Sequence, residues 1–177
     1  MKEETGIKER SLVLLVTPRC VEQIELMLTF FSLNIAYCNI DFNEKKTRIG
    51  HIISNSRPQY IITTAEKAKE FDLENYFVCG RYDALNIYCC KEESPLFDED
   101  VSYVLYTSGT TGVPKGVVIG KEAAYNFIFS IKEIMISEDN GKIMLNTAFN
   151  FDISFLESIA SFYYGLTVVF MDMHLQN

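Results

Sequence analysis

The sequence lacks the features that would tie it to a membrane or to nucleic acid. None of its apolar runs approaches the ~18 residues of a transmembrane helix. The mixed-charge start, MKEETGIKER, lacks the apolar centre of a signal peptide. Basic residues are few: 16 Lys and Arg against 24 Asp and Glu give a formal charge of −8, which repels a phosphate backbone and an anionic lipid surface. We therefore expect a cytoplasmic protein that binds neither nucleic acid nor membrane, and that recognises phosphate only through a local set of donors.

The five cysteines form no metal-binding motif. They are Cys20, Cys38, Cys79, Cys89 and Cys90, and no two of them make a C-x-x-C pair. On a strand, the adjacent Cys89 and Cys90 would point to opposite faces, which makes them poor joint ligands of zinc. We expect reduced thiols in a cytosolic protein, and no metal site is predicted.

Length and composition predict one globular domain, and the alternation of its segments predicts the α/β class. The chain is 48% apolar and 23% charged, an ordinary globular balance, and a chain of this size buries roughly two-thirds of its unfolded surface. Short runs rich in β-branched and aromatic residues alternate with segments of helical period. These runs are 11–16, 36–41, 59–63, 86–90, 103–107, 116–119, 143–147 and 166–171. The alternation indicates mostly parallel sheets flanked by helices.

Helices are predicted between these runs. They lie between the first two runs, over 43–56, over 65–75, after Gly120 and after Asp152. Thr63 and Glu66 have the T-x-x-E spacing of a capping box at the start of the third helix. The charged, proline-containing stretch 91–100 indicates a linker or surface loop.

The stretch most informative about function is YTSGTTGVPKGVVIG, residues 106–120. Its polar and flexible residues are Thr107, Ser108, Gly109, Thr110, Thr111, Gly112, Lys115 and Gly116. Glycines let the backbone approach an anion, successive N–H groups can form an anion-binding nest, and the hydroxyls and the lysine add donors. A plain hairpin needs only about two to five loop residues, and this loop is longer. Phosphate binding is therefore favoured over the alternative, a polar hairpin loop.

This loop matches neither of two common phosphate-binding motifs. A Walker lysine should lead directly into a helix, whereas Lys115 is followed by Gly116 and the strand-like VVI. Pro114 biases Val113 away from helical backbone angles, and no G-x-G-x-x-G pattern occurs. These departures argue against a nucleotide hydrolase of the Walker type.

Residues 107–116, TSGTTGVPKG, resemble the signature loop of the adenylate-forming (AMP-binding) superfamily. That superfamily includes acyl-CoA synthetases, luciferases and the adenylation domains of non-ribosomal peptide synthetases. Upstream, residues 37–42 (YCNIDF) resemble the family's Y-x-P-x-D-P stretch without its two prolines. Downstream, residues 150–157 (NFDISFLE) resemble the F-D-x-S-x-x-E stretch of amino-acid-activating members.

The resemblance implies an architecture. Residues 11–177 are expected to form a partial AMP-binding domain, part of the large N-terminal region of the adenylate-forming fold, after an N-terminal tail over 1–10. In full-length members an adenine-binding loop, a ribose-binding aspartate, a hinge and a small C-terminal domain follow, and none of these is found in this sequence.

The resemblance also implies a reaction. ATP and a carboxylic acid give an acyl-adenylate and pyrophosphate, with Mg²⁺ and hydrogen-bond donors around the β- and γ-phosphates. Thr107 and Lys115 are the implied catalytic residues. The implied contacts with ATP are Thr107, Ser108, Gly109, Thr110, Thr111, Gly112, Lys115 and Gly116.

Asp152 and Phe151 are the implied substrate-binding residues. In the amino-acid-activating branch, the aspartate that matches Asp152 pairs with the α-amino group of the substrate. The alternative is that Asp152 caps the following helix. Ser154 and Glu157 have the S-x-x-E spacing of a capping box, which would leave Asp152 outside the helix and facing a pocket.

Other candidates carry weaker predictions. Lys121 stands where the superfamily often has a histidine, and we expect a surface lysine; His51 is expected to be a satisfied or surface histidine. Among the aromatic residues that follow position 148, Phe149 and Phe151 are expected to line a pocket wall. Core packing is expected for most of the set, which comprises Phe149, Phe151, Phe155, Phe162, Tyr163 and Tyr164.

The expected function is ATP-dependent activation of an amino acid, carried out as part of a split or truncated adenylation domain. A complementing chain or a carrier protein would be the macromolecular partner, and the isolated chain is expected to be inactive. Two alternatives stay open: a catalytically inactive remnant or interaction protein, and an acyl-CoA synthetase-like fragment that acts on another carboxylic acid.

Overall fold

A seven-stranded mixed sheet forms the centre of the fold in the computed structural model, which describes residues 6–94, 96–108, 113–135 and 141–170. The strands are β1 (Leu12–Val16), β2 (Ala36–Asn39), β3 (Tyr60–Thr64), β4 (Tyr76–Tyr82), β5 (Leu85–Cys90), β6 (Val101–Thr107) and β7 (Lys115–Gly120). Their spatial order is β4-β5-β3-β1-β2-β6-β7. A second sheet pairs β8 (Lys142–Leu145) in parallel with β9 (Thr167–Phe170).

The four central strands are parallel and the edges are antiparallel. Strand β1 pairs in parallel with β2 and β3, and β2 pairs in parallel with β6. Strands β4, β5 and β7 join as antiparallel neighbours. Parallel strands need crossover connections, and α1 (Val21–Ser32) and α2 (Lys46–Ser56) supply two of them. The predicted α/β class is confirmed.

The remaining helices are short. They are α3 (Ala65–Ala68), α4 (Lys121–Ser130), α5 (Lys132–Met135), α6 (Ile153–Phe155), a π-helical segment (Leu156–Ala160) and α7 (Ser161–Tyr163). The last three follow one another directly, so that one continuous helical stretch connects the two strands of the second sheet.

Alternate residues of the central strands belong to two separate cores, one on each face of the large sheet. Val13 and Leu15 of β1 pack with Met27 and Phe30 of α1. Leu14, between them, packs on the opposite face with residues of α2. Because β1 is buried along its whole length, its sequence is a continuous apolar run, LVLLV, rather than an alternating one.

Two predictions between β3 and β5 are wrong. The helix predicted over 65–75 is only one turn long, and β4 follows it where no strand was predicted. The Asp72 carboxylate accepts a hydrogen bond from the Glu74 backbone N–H, a local turn that competes with helix continuation. Thr64, not Thr63, caps α3, because the Thr63 hydroxyl is buried and donates to the Val16 carbonyl.

Residues 6 and 7 contact the core. Ile7 is buried, and the Gly6 carbonyl accepts a hydrogen bond from the Tyr60 hydroxyl. The predicted surface stretch 91–100 is indeed a loop wherever it is described. Within the described ranges, no helix combines the length and the hydropathy that crossing a membrane requires.

Adjacent positions on α2 test the packing of this helix on the sheet. Ile52 is 1% exposed, whereas His51 faces solvent, as expected from the sequence. We expect Ile52→Ala to lower the free energy of unfolding by about 2–5 kcal/mol, and His51→Ala to change it by less than about 0.5 kcal/mol. Urea denaturation of the two variants measures the difference, and equal effects would contradict the described packing.

Candidate functional site

Strand β6 connects the two parts of the candidate site. Tyr103 and Leu105 pack into the core beneath α1, whereas Val104 and Tyr106 pack into the core beneath α2. Thr107 is the last residue of the strand, and in the antiparallel register it lies opposite Lys115, the first residue of β7. The sequence-predicted loop therefore starts and ends at a pair of facing strand residues.

The ends of the loop are exposed. Thr107, Ser108, Lys115 and Gly116 all lie at the surface, and the Thr107 hydroxyl donates to the Lys115 carbonyl at 3.5 Å. The connection over 108–114 has seven residues, longer than a tight hairpin, as predicted. Four of the predicted phosphate contacts lie outside the described residues: Gly109, Thr110, Thr111 and Gly112.

Gly116 has a packing role. A Cβ atom at this position would lie 3.1 Å from Cζ of the Tyr106 ring, which is tighter than ordinary side-chain contacts. Tyr106 and Gly116 are cross-strand partners, so glycine lets the tyrosine ring cover the neighbouring strand. The predicted phosphate contact by Gly116 stays a prediction. The packing of Tyr106 already explains why this position is a glycine.

The segment before Asp152 is fixed from both sides by charged side chains. Arg19 donates to the carbonyls of Leu145 and Asn146, the latter at 3.0 Å. The Glu157 carboxylate accepts from the backbone N–H groups of Asn146 and Thr147 at 3.0 and 2.8 Å. Burial lowers the pKa of the Arg19 guanidinium, while the charge of Glu157 acts in the opposite direction. Arg19 was missed by the sequence analysis, because its partners lie more than 120 residues away.

Glu157 is consequently not part of a capping box, and the predicted pairing with Ser154 is wrong. Ser154 is buried, and its hydroxyl donates to the carbonyls of Phe149 and Phe151. Asp152 caps α6 instead, with its Oδ1 atom accepting from the Ile153 N–H at 2.9 Å. Since Asp152 is exposed at the helix start, its predicted contact with a substrate amino group stays a prediction.

A small recess lies next to Phe151 and Ser154, at the face of β6 that carries Tyr103 and Leu105. Phe149 and Phe151 both line it, as expected for a pocket wall; Phe149 is 7% exposed and Phe151 is 59% exposed. The prediction that most of the aromatic set packs in the core is wrong. Three of the six members are exposed, namely Phe151, Phe162 and Tyr163.

The Asp152 carboxylate acts electrostatically on Tyr103, which lines this recess. Burial raises the pKa of Tyr103 to about 12, and the Asp152 carboxylate contributes in the same direction. Tyr103 stacks on Tyr37 with ring centroids 5.9 Å apart and meets Phe155 at 5.1 Å. The recess therefore has an aromatic wall, and the negative charge of Asp152 acts on one of the residues that line it.

Lys121 differs from the predicted surface lysine. It is half-buried at the start of α4, its ammonium lies over the Phe31 ring at 5.5 Å, and it donates to the Asn34 side chain. Burial lowers its pKa. Lys121 therefore ties α4 to the end of α1.

Comparison with known proteins identifies the family. The model of the family described as "AMP-binding enzyme" matches residues 1–176. The chain belongs to this family. Among the relatives of this AMP-binding protein, the dimodular nonribosomal peptide synthase of Bacillus subtilis (strain 168) is 32% identical over 174 residues. A linear gramicidin synthase of Brevibacillus parabrevis is 32% identical over 155 residues.

These relatives are far longer than the chain. The matched part covers 94% of the chain and 7% of the Bacillus subtilis protein, and 86% of the chain and 3% of the gramicidin synthase.

Solved structures share the fold. A four-domain nonribosomal peptide synthetase bound to AMP and glycine superposes with a TM-score of 0.71 at 26% identity, over 94% of the chain and 12% of that protein. The o-succinylbenzoate CoA synthetase of Bacillus subtilis, in complex with an acyl-adenylate intermediate, superposes with a TM-score of 0.69 at 17% identity. That match covers 94% of the chain and 44% of the synthetase. Both matches confirm that the chain has the fold of the N-terminal part of adenylate-forming enzymes.

The electrostatic link between Asp152 and Tyr103 is directly testable. Asp152→Asn removes one of the two causes that raise the pKa of Tyr103, while burial remains, so the phenol should titrate at lower pH than in the unaltered protein. NMR titration of protein carrying ¹³C-labelled tyrosine measures this, with the exposed Asp98→Asn as the charge-matched control. Identical Tyr103 titrations in both variants would show that the charge of Asp152 does not act on Tyr103.

Proposed function

We propose that this chain binds ATP at the loop between β6 and β7 and takes part in activating an amino acid as an aminoacyl-adenylate, with release of pyrophosphate. The observation that carries the proposal is the pairing of Thr107 with Lys115 across the mouth of a seven-residue loop. This pairing exposes a hydroxyl and an ammonium group side by side, and both can donate to a phosphate. Such local donors are needed because the net negative charge of the chain disfavours phosphate.

In the proposed reaction, the substrate carboxylate attacks the α-phosphorus of ATP in line. The bond between the α-phosphorus and the oxygen that bridges it to the β-phosphate breaks. The leaving pyrophosphate takes up negative charge, so donors placed around the β- and γ-oxygens lower the barrier. Thr107 and Ser108 offer hydroxyl donors, and Lys115 offers a positive charge. In other enzymes one such preorganised donor contributes about 3 kcal/mol.

The residues present are compatible with Mg²⁺ bound through the nucleotide. Across the described ranges, no group of three or more His, Cys, Asp and Glu residues could hold a metal ion by itself. Mg²⁺ commonly keeps several waters and binds through substrate phosphates with few protein ligands, so a phosphate loop with hydroxyl groups suits it. When bound, the ion would neutralise charge on the β- and γ-phosphates, with Thr107 and Ser108 as the neighbouring hydroxyls.

We propose an amino acid as the carboxylate substrate, with Asp152 facing its ammonium group and Phe151 at the pocket wall. The recess lined by Phe151 and Tyr103 supports this assignment, because the Asp152 carboxylate acts electrostatically on Tyr103. A carboxylic acid without an amino group would gain nothing from that charge.

We also propose that the chain works in the cytoplasm together with another polypeptide surface, either a complementing chain or a carrier protein. Large apolar side chains are exposed along the helices beyond β7: Phe129, Ile134, Phe162 and Tyr163. Ile134 is 80% exposed, and apolar exposure of this kind favours a protein contact.

The proposal predicts a specific effect of Lys115. We expect Lys115→Ala to weaken binding of a fluorescent N-methylanthraniloyl ATP about 10- to 100-fold, because a charge-assisted contact with the β- and γ-phosphates is lost. Binding of the corresponding AMP derivative should change much less. Fluorescence titration measures both nucleotides, and the exposed Lys69→Ala controls for the loss of one positive charge.

Two outcomes count against this function. Equal weakening of binding for the two nucleotides would contradict a contact between Lys115 and the β- and γ-phosphates. If Lys69→Ala loses as much affinity as Lys115→Ala, the loss follows from the change in net charge and not from a specific contact of Lys115.

A further inference from the structure

We propose that Arg48 and Asn55 of α2 are positioning residues for the described ends of the loop between β6 and β7, below called the phosphate loop. They hold Tyr106 at its carbonyl and at its hydroxyl. This inference rests on the nucleotide binding proposed above. It adds two residues from a helix that contributes none of the predicted phosphate contacts.

The contacts come from one face of α2. Positions 48 and 55 are seven residues apart, which corresponds to two helical turns, so both side chains point the same way. Arg48 Nη2 donates to the Tyr106 carbonyl at 3.3 Å, and the Tyr106 hydroxyl donates to Asn55 Oδ1 at 2.7 Å. One tyrosine is thus fixed at its main chain and at the far end of its side chain.

Arg48 is itself oriented before it reaches Tyr106. Its Nε atom forms a salt bridge of 3.1 Å with Glu44, one helical turn earlier, and both side chains are partly buried. Ile49, next to Arg48, is fully buried and anchors this turn of α2 to the sheet. The guanidinium group therefore has a defined position from which to hold the carbonyl.

Tyr106 transmits this constraint to both ends of the loop. It directly precedes Thr107, and its ring packs against Gly116 of β7, where a Cβ atom would come within 3.1 Å. Because Tyr106 faces the core beneath α2, Arg48 and Asn55 lie on the side of the sheet opposite to Tyr103 and Leu105. They act through the tyrosine, and not by touching the nucleotide.

A fixed loop base has a physical consequence for binding. Ordering a loop when a ligand arrives reduces affinity, and a loop whose ends are already held in place loses less. A tyrosine hydroxyl is protonated at neutral pH and can donate to Asn55, and burial raises the pKa of Tyr106 further. Removing either contact should loosen the loop while the sheet stays folded.

The test compares Arg48→Ala, Arg48→Lys and Tyr106→Phe with Arg81→Ala. Arg81 is exposed on the opposite edge strand, β4, and matches the change of charge. Hydrogen exchange without nucleotide should be about tenfold faster in peptides spanning 105–118 for Arg48→Ala, with β1 peptides unchanged. Affinity for N-methylanthraniloyl ATP should fall about five- to tenfold. Arg48→Lys should recover part of both effects, and Arg81→Ala should show neither.

Tyr106→Phe removes only the bond to Asn55 and keeps the ring over Gly116, so it should give a smaller increase in loop exchange of the same kind. This variant keeps the inference testable if Arg48→Ala fails to fold.

Each outcome decides one of the two claims. Unchanged loop exchange in Arg48→Ala and Tyr106→Phe would overturn the positioning role, whatever the nucleotide affinity. Faster exchange in β1 to the same extent as in the loop would also overturn it, because the effect would be general destabilisation. Faster exchange confined to the loop, in a protein that does not bind the ATP derivative, would support the positioning contact and contradict the proposed function.

Discussion

The alternation of side chains along β6 is the constraint on which the rest of the site depends. Successive residues of a strand point to opposite faces, so Tyr103 and Leu105 meet the recess near Asp152 while Tyr106 meets α2. The strand then ends at Thr107, at the same edge as the carboxyl ends of its parallel neighbour β2 and of β1, the next strand along the sheet. In α/β sheets ligands bind outside this edge, which is where the two ends of the β6–β7 connection, Thr107 and Lys115, lie.

The net charge means that the proposed recognition of phosphate would have to be local in this protein. The net charge of −8 disfavours anions in general. A wider cleft of about 610 Å³ lies on another part of the surface, but its lining includes Asp72, Glu74, Glu92 and Glu93. These four carboxylates outnumber Arg57, which also lines the cleft, so the cleft suits a triphosphate poorly despite its size. The exposed hydroxyls and the ammonium group at the mouth of the β6–β7 loop are few, but they suit a phosphate better than the carboxylates of the cleft do.

The sequence alone predicts the elements whose signal is local. Buried strands appear as apolar β-branched runs, and the loop appears as a dense cluster of glycine and hydroxyl residues, so both were found. The predicted helix over 65–75 failed because a side-chain turn at Asp72 competes with it. The contacts of Glu157, Arg19 and Arg48 could not be predicted, because each joins residues that only the folded chain brings together.

An NMR titration with Mg²⁺ and a non-hydrolysable ATP analogue, followed by an amino acid, tests the central claim that β6 joins the two halves of one substrate site. The nucleotide analogue should shift the amide signals of Thr107, Ser108 and Lys115. The amino acid should then shift the signals of Tyr103 and Asp152. Shifts confined to the acidic cleft, or the absence of any shift at the β6–β7 loop with the analogue in large excess, would contradict the account.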